Sequence, residues 1–374
     1  MINPQVAVVK CERYEYLPLE AALRQALELL GGISNFIRPR TRVLVKPNLL
    51  LAKPPEFAIT THPEVVRAII RLLKEQGCRV ILGDGPSVWG HYIQNVDEVY
   101  AVTGIKQVCL DEDVPLVTFD KRRMREKFPL TTYLDECDHL VNLPKLKTHE
   151  MTLITGAIKN LFGLVSGTYK TELHKNYFPP AEFSKILVDI YEEAHPSLTI
   201  IDGITAMEGD GPATSGTPRP LGLLLAGADC VALDTVMASV MGINPQDVLH
   251  IQEAAKRGLG QSDLRKITVR GEDIGQLNVR PFVLPKNSAR LTSLPPIIQK
   301  CFKSWVKYYP YSLPFKCTHC GHCVKICPKQ CISLRKKGIG IDYKKCIACF
   351  CCQESCPEAA IGVKRSLLAK LIGL

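Results

Sequence analysis

The sequence predicts an α/β domain with a largely parallel sheet and helices on both faces, followed by a small cysteine-rich α+β domain. Three observations predict it. Short apolar runs alternate with amphipathic helical patterns from residue 5 to about residue 257, the rhythm of strand–helix–strand units. Six prolines from Pro281 to Pro314 then break that rhythm. Around and beyond the last of them, eight cysteines fall into two matching runs.

Taken in order, residues 5–11 (Gln-Val-Ala-Val-Val-Lys-Cys) read as a strand and 18–30 as a helix stopped by Gly31-Gly32. Further strands are expected at 42–46, 79–83, 138–142, 198–202 and 221–226. Helices are expected at 62–76, 95–109, 152–162, 181–194, 229–241 and 246–257. The helix start near 62 is the best marked, because Thr61 and Glu64 fit a capping box and Pro63 sits in the first turn. The expected boundaries are an α/β domain over 1–274, a Pro- and aromatic-rich linker over 275–312, a cysteine module over 313–363 and a basic amphipathic tail over 364–374. Trp305, Tyr308, Tyr309 and Tyr311 are expected to pack between the domains. The tail is expected to pack on the module or to make weak contact with a membrane surface.

At 374 residues the chain has room for about two domains, one with a full core. The apolar share of 46% and charged share of 22% are those of an ordinary soluble globular protein. No apolar run has the length of a membrane span, and Met1-Ile2-Asn3-Pro4-Gln5 lacks the pattern of a signal peptide. Of the 16 cysteines, Cys11, Cys78, Cys109, Cys137, Cys230, Cys301, Cys331 and Cys351 lie outside the ligand positions of the two runs. Scattered thiols of this kind suit a reducing cytoplasm rather than a disulfide scaffold. A P-loop, a G-x-G-x-x-G continuation, H-E-x-x-H and G-x-S-x-G are all absent, as is any nucleic-acid-binding signature.

The cysteines carry the sharpest chemistry. Cys317, Cys320, Cys323 and Cys327, then Pro328, make one C-x2-C-x2-C-x3-C-P run. Cys346, Cys349, Cys352 and Cys356, then Pro357, repeat it 29 residues on. This is the run of two-cluster bacterial ferredoxins, in which the fourth cysteine of each run crosses to the other 4Fe-4S cube. Cys317, Cys320, Cys323 and Cys356 are therefore expected to hold one cluster, and Cys346, Cys349, Cys352 and Cys327 the other. Zinc ribbons instead use paired C-x2-C separated by a longer gap. Cys331 aligns with Ala360 and reads as structural, Cys351 as a bystander or alternative ligand, and His319 and His322 as exposed or bonded to cluster sulfur. The formal charge of +10 falls to about +6 if each cube with its thiolates carries about −2. That excess favours an anionic small molecule, an acidic protein partner or a membrane surface, with a soluble electron donor or acceptor protein the expected partner. The run Lys121–Arg125 reads as a solvated basic face.

In open α/β sheets ligands bind outside the carboxyl ends of strands. The residues there are Lys46 and Asn48, then Asp84, then Lys145, Lys147 and His149, then Asp202; Lys159 and Asn160 follow on the next helix. Lys145, Lys147 and His149 alternate, so an extended backbone points all three one way, as a clamp for carboxylate or phosphate. Each also has a plainer role: Lys46 caps the sheet edge, Asp84 and Asp202 hold turns, Asp229 and Asp234 charge a helix start. His174 lies in a loop rich in Lys and Tyr.

These segments, Val45–Asn48, Gly83–Pro86, Leu143–His149, Gly156–Gly163, Asp202-Gly203 and Ala228–Asp234, resemble in their order the domain-of-unknown-function 362 family over roughly residues 5–270. Many members are similar in carrying a C-terminal two-cluster ferredoxin module. The resemblance implies the architecture; it carries over no catalytic residues. The expectation is an iron–sulfur redox enzyme with an anion held by Lys46, Asn48, Lys145, Lys147, Lys159, Asn160 and Asp202, and protons supplied by His149 or Asp84. The alternatives are a non-catalytic electron-transfer subunit that docks a partner enzyme, and a redox or iron sensor.

Overall fold

The computed structural model describes residues 3–86, 96–165, 169–170, 173, 180–286 and 308–365. Its strands are β1 (Gln5–Lys10), β2 (Arg42–Pro47), β3 (Arg79–Gly83), β4 (Leu116–Val117), β5 (Arg122–Met124), β6 (Pro129–Thr131), β7 (His139–Leu143), β8 (Lys145–His149), β9 (Leu153–Thr155), β10 (Leu198–Gly209), β11 (Gly216–Gly227) and β12 (Thr268–Gly271). Among the described residues one large sheet runs β12-β1-β11-β10-β7-β2-β3-β4, with β8 added beside β10 and β9 beside β8. Neighbours from β10 through β7, β2 and β3 to β4 are parallel, as are β1 and β12. β11 lies antiparallel between β1 and β10, and β9 antiparallel to β8. The expected strands 198–202 and 221–226 are thus the paired inner halves of two longer strands.

The sheet has helices on both faces, and strand alternation shows it. Val6, Val8, Leu44, Ile201, Leu223 and Leu225 face the core that holds the helices Pro180–Ala194 and Cys230–Val240. Their neighbours Ala7, Val9, Val43, Val45, Ile200 and Leu224 face the opposite core, with Tyr16–Glu28 and Pro63–Glu75. Buried on both faces, these strands have no polar side to show, which is why they read as continuous apolar runs. No described helix is long and apolar enough to cross a membrane.

Local chemistry moves three expected boundaries. The helix Pro63–Glu75 is capped by His62, whose Nδ1 accepts from Glu64 N–H. Thr61 is drawn away to Asn48 N–H and the Leu143 carbonyl, so the capping box does not form. The expected helix 95–109 divides at Gly104, whose φ of 78° places it in the left-handed region. The expected helix 152–162 starts with β9, and only Ala157–Asn160 is α-helical. Its start is fixed from outside: Asp234 accepts from Ala157 N–H at 2.6 Å and Ile158 N–H at 3.0 Å. Both bonds are buried and one partner is charged, so Asp234→Ala is expected to cost about 2–4 kcal/mol in urea unfolding. A midpoint and slope like those of the parent chain would overturn this.

The C-terminal module contains β13 (Tyr308–Ser312), β14 (Ile332–Leu334), β15 (Ile339–Ile341) and β16 (Ile361–Arg365), with short helices at His322–Ile326 and Cys351–Glu354. β13 pairs with β16, and β14 with β15. Tyr308–Ser312, expected in the linker, is therefore a strand of the module, as are Lys364 and Arg365 from the expected tail. Tyr309 meets Tyr343 edge-on, and Tyr343 donates to the Pro310 carbonyl, so these aromatics pack inside the module rather than between domains. At the other end of the linker, Val283 exchanges bonds with Gly209 and Glu208 and stays on the α/β domain. Trp305, His174 and residues 366–374 lie outside the described residues.

Candidate functional site

The cysteines converge on two separate cavities. Cys317, Cys320, Cys323 and Cys356 line one of about 360 Å³, counting space open to solvent. Cys327, Cys346, Cys349 and Cys352 line another of about 290 Å³, joined there by Cys331. Cys327 and Cys356 each sit with the other run's triplet. The 29-residue repeat is visible in the backbone: His319 and Ala348, Gly321 and Phe350, and Gln330 and Ala359 are pairs with positive φ. Cys331 N–H donates to Cys327 Sγ at 3.3 Å, and Ala360 N–H to Cys356 Sγ at 3.2 Å. Such N–H···S bonds are among the features that set cluster potentials.

The residues fit a 4Fe-4S group. Burial, and then the neighbouring Cys356, Cys320 and Cys317 thiols, push Cys323 up to about 12. Burial and the Cys349 and Cys323 thiols push Cys352 well above its ordinary value. Thiols crowded like this keep their protons unless a cationic core takes up their charge, which iron does. Cys351 is buried outside both cavities and hydrogen-bonds Cys349. His319 bonds the turn before β15, and His322 lines the first cavity.

A third cavity, of about 500 Å³, lies at the carboxyl ends of β2 and β3. The sheet order reverses at β2, with β3 and β4 on one side and β7 on the other, so this is a topological switch point. Its walls include Asn48 and Asp84 from the strand ends, Lys147 from β8, Thr155 from β9, and Lys159, Asn160 and Gly163. The remaining wall comes from the cysteine module: Glu354.

Five of the nine expected site residues are therefore brought together. Lys46, Lys145, Asp202 and His149 are not in the lining. Lys46 is fully buried and pairs with Asp84 at 2.7 Å. Lys145 pairs with Asp202 at 2.7 Å and donates to Tyr14, which itself donates to Asp202. Each of these ammonium groups is neutralised by its own carboxylate, so neither is spare for a ligand. All five residues of β8 are buried, Lys145, Lys147 and His149 among them, but the partners of these three differ. The β10 register shifts between Asp202 and Met207, so Lys145 meets Asp202 while Lys147 donates to the Ile59 carbonyl at 2.6 Å. His149 accepts from Met151 N–H, and its other nitrogen lies 3.6 Å from Glu354.

Thr155 and Glu354 also line the cavity, although no sequence pattern singles them out. Thr155 is 2% exposed, and its hydroxyl has no hydrogen-bond partner among the described residues. Burial pushes Glu354 up to about 7 against the pull of Lys159 and Lys147, and pushes Lys159 down to about 8 against the pull of Glu354. Burial and the neighbouring Lys159 and Lys145 hold Lys147 well below the usual ammonium range.

The module is fastened beside this cavity by one buried and one partly buried bond. Gln353 Nε2 donates to Glu150 Oε1 at 2.6 Å, and the Thr214 hydroxyl to the Cys356 carbonyl at 2.7 Å. Burial lifts Glu150 to about 9, with Asp210 and Glu354 adding to the rise and the Gln353 bond opposing it. A raised carboxyl binds its proton more tightly when docked, so its contribution is complete below pH 4.5 and is lost as pH rises to about 9. Protease cleavage between the domains is expected to speed up over that range, and Glu150→Gln to flatten the dependence. The same pH profile in both proteins would overturn this account.

Comparison with known proteins adds three findings. Residues 43–239 match the family model described as a domain of unknown function (DUF362), and residues 316–360 match the 4Fe-4S dicluster domain. The chain is 36% identical over 261 residues to the thylakoid-associated protein sll1697 of Synechocystis sp., covering 68% of this chain and 79% of that one. The lactate racemase apoprotein from Thermoanaerobacterium thermosaccharolyticum superposes with a TM-score of 0.37 at 14% identity, over 65% of this chain and 58% of that one.

Proposed function

Because the chain belongs to the DUF362 family and carries a 4Fe-4S dicluster domain, we propose that it is an oxidoreductase acting on a small anion held at the strand ends. Two 4Fe-4S clusters, one on Cys317, Cys320, Cys323 and Cys356 and one on Cys346, Cys349, Cys352 and Cys327, supply single electrons there. One observation carries the reading: Glu354 lies between Cys352 and Cys356 in sequence and lines the same cavity as Lys147 and Lys159. Electron source and anion site thus share a wall, and a bimolecular encounter becomes an intramolecular one.

In this reading Lys147, Lys159 and the Thr155 hydroxyl bind the anion, and Asn48 and Asn160 orient it. Glu354, backed by His149 at 3.6 Å, holds the proton a reduction consumes. Lys46, Asp84, Lys145 and Asp202 keep the strand ends in place. The proposed compartment is the cytoplasm, where thiols stay reduced.

Native mass spectrometry of protein purified without oxygen tests this. The expected mass is the chain plus two clusters plus a small anion, with the anion lost and the clusters kept in Lys147→Met/Lys159→Met. Two clusters without an anion, in the parent protein and after addition of carboxylate and phosphate compounds, would favour a non-catalytic carrier. Zinc, or no cluster, would overturn the reading at its base.

A further inference from the structure

The first cysteine cavity opens to the surface. Cys320 is the exposed cysteine among those described, while Cys349 and Cys352 of the second cavity are buried. Two segments build the surface around it. Phe315 and Lys316 precede the cysteine loop, and the turn between β14 and β15 brings Arg335, Lys336 and Lys337. His319 fastens the two together: its Nε2 accepts from Gly338 N–H at 3.2 Å and lies 3.0 Å from the Arg335 carbonyl oxygen. Phe315 is 80% exposed and Leu334 is 49% exposed, and Leu334 also lines the first cavity. Four cationic side chains, all exposed, accompany these two apolar ones; Glu358 is the acidic residue in the cavity lining. Residues 308–365 hold ten Lys and Arg against three Asp and Glu, so the module keeps a positive face even after two clusters add about −4.

We propose that this face, Phe315 and Leu334 with Lys316, Arg335, Lys336 and Lys337, docks a small acidic one-electron carrier protein that delivers its electron beside Cys320. The proposal rests on the cluster reading above and adds where electrons enter. The carrier loses one electron and the cluster of the first cavity gains it; no bond is made or broken. A small apolar centre with charges around it suits a brief redox encounter, in which complementary charge speeds association without making the complex tight. An anionic lipid surface would also attract these lysines, but it supplies no electron and gives no reason for an exposed cluster cysteine at the centre of the face.

The test uses the full-length, cluster-loaded protein without oxygen, with flavodoxin as the small acidic probe. Reduced flavodoxin is mixed with the protein in stopped flow, and binding of oxidised flavodoxin is measured at low and high salt. Lys336→Glu/Lys337→Glu is expected to slow the second-order reduction at low salt by at least about 10-fold and to weaken binding in parallel. Reduction by dithionite and the cluster spectra stay as in the parent protein. Phe315→Ser is expected to weaken binding with little change in its salt dependence. Unchanged flavodoxin rate and affinity in the double variant, with clusters intact, would overturn the docking face. So would binding of phosphatidylserine vesicles through the same lysines with no binding of flavodoxin. Absence of clusters in the parent protein is a separate result, and it would overturn the proposed function itself.

Discussion

Asp84→Ala is expected to destabilise the α/β domain by about 3–5 kcal/mol, because it leaves the Lys46 ammonium buried without a counter-charge. Lys46 and Asp84 are 0% and 2% exposed and 2.7 Å apart. Asp84 also accepts from Leu49 N–H and Gly85 N–H, so its loss leaves two backbone donors unmatched. Gly163 is part of the same arrangement, since a Cβ there would lie 2.2 Å from Asp84 Oδ1 and 2.5 Å from Lys46 Nζ. Urea unfolding of Asp84→Ala, Lys46→Met and the double variant separates the contributions. The double variant should recover part of the loss, since an apolar pair carries no stranded charge. If Asp84→Ala alone unfolds at the parent midpoint, the pair does not hold the strand ends. A cavity that loses its anion only in step with this lost stability would mark Asp84 as a positioning residue rather than an acid or base.

Cys352→Ala is expected to lower the iron content from about eight atoms per chain to about four. Cys352 lines the second cavity only, while the first keeps Cys317, Cys320, Cys323 and Cys356. The remaining cluster should therefore keep its own reduced-state spectrum, without the broadening that a second paramagnet nearby produces. Cys351→Ala is the control. Cys351 lies outside both cavities, so iron content should hold. Iron that stays near eight in Cys352→Ala would overturn the ligand sets. Loss of iron in Cys351→Ala would make Cys351 a ligand.

Much of the architecture was legible because each central strand is a short apolar run between turn residues, and the helices carry an apolar stripe. Pairing order was not. The six residues between β10 and β11 force that pair to be antiparallel, but nothing local tells β1 to pair with the other edge of β11, because that depends on which strand edges remain free. The cysteine placement was legible for a different reason: the run is that of two-cluster ferredoxins, in which the fourth cysteine crosses over, and Cys356 and Cys327 do line the cavity of the other run's triplet. The lysines were half legible. Alternation along β8 says which way Lys145, Lys147 and His149 point, not what they meet. Asp202, 57 residues from Lys145, decides that one of them is a structural pair. Thr155 gives no local signal at all. Glu354 was hidden in plain view, inside a motif whose cysteines account for every position a metal reading needs.

The helix Cys351–Glu354 serves two cavities at once, with Cys352 in one and Glu354 in another. On the proposed reading, a newly made chain whose second cluster is not yet inserted holds that helix only through bonds such as Gln353 to Glu150, so one wall of its strand-end cavity is less firmly fixed. On that reading iron delivery precedes firm closure of the cavity, and ligand capture follows. Such an immature chain is then impaired in both senses, one cluster short in its electron supply and without a firmly closed place to put a substrate.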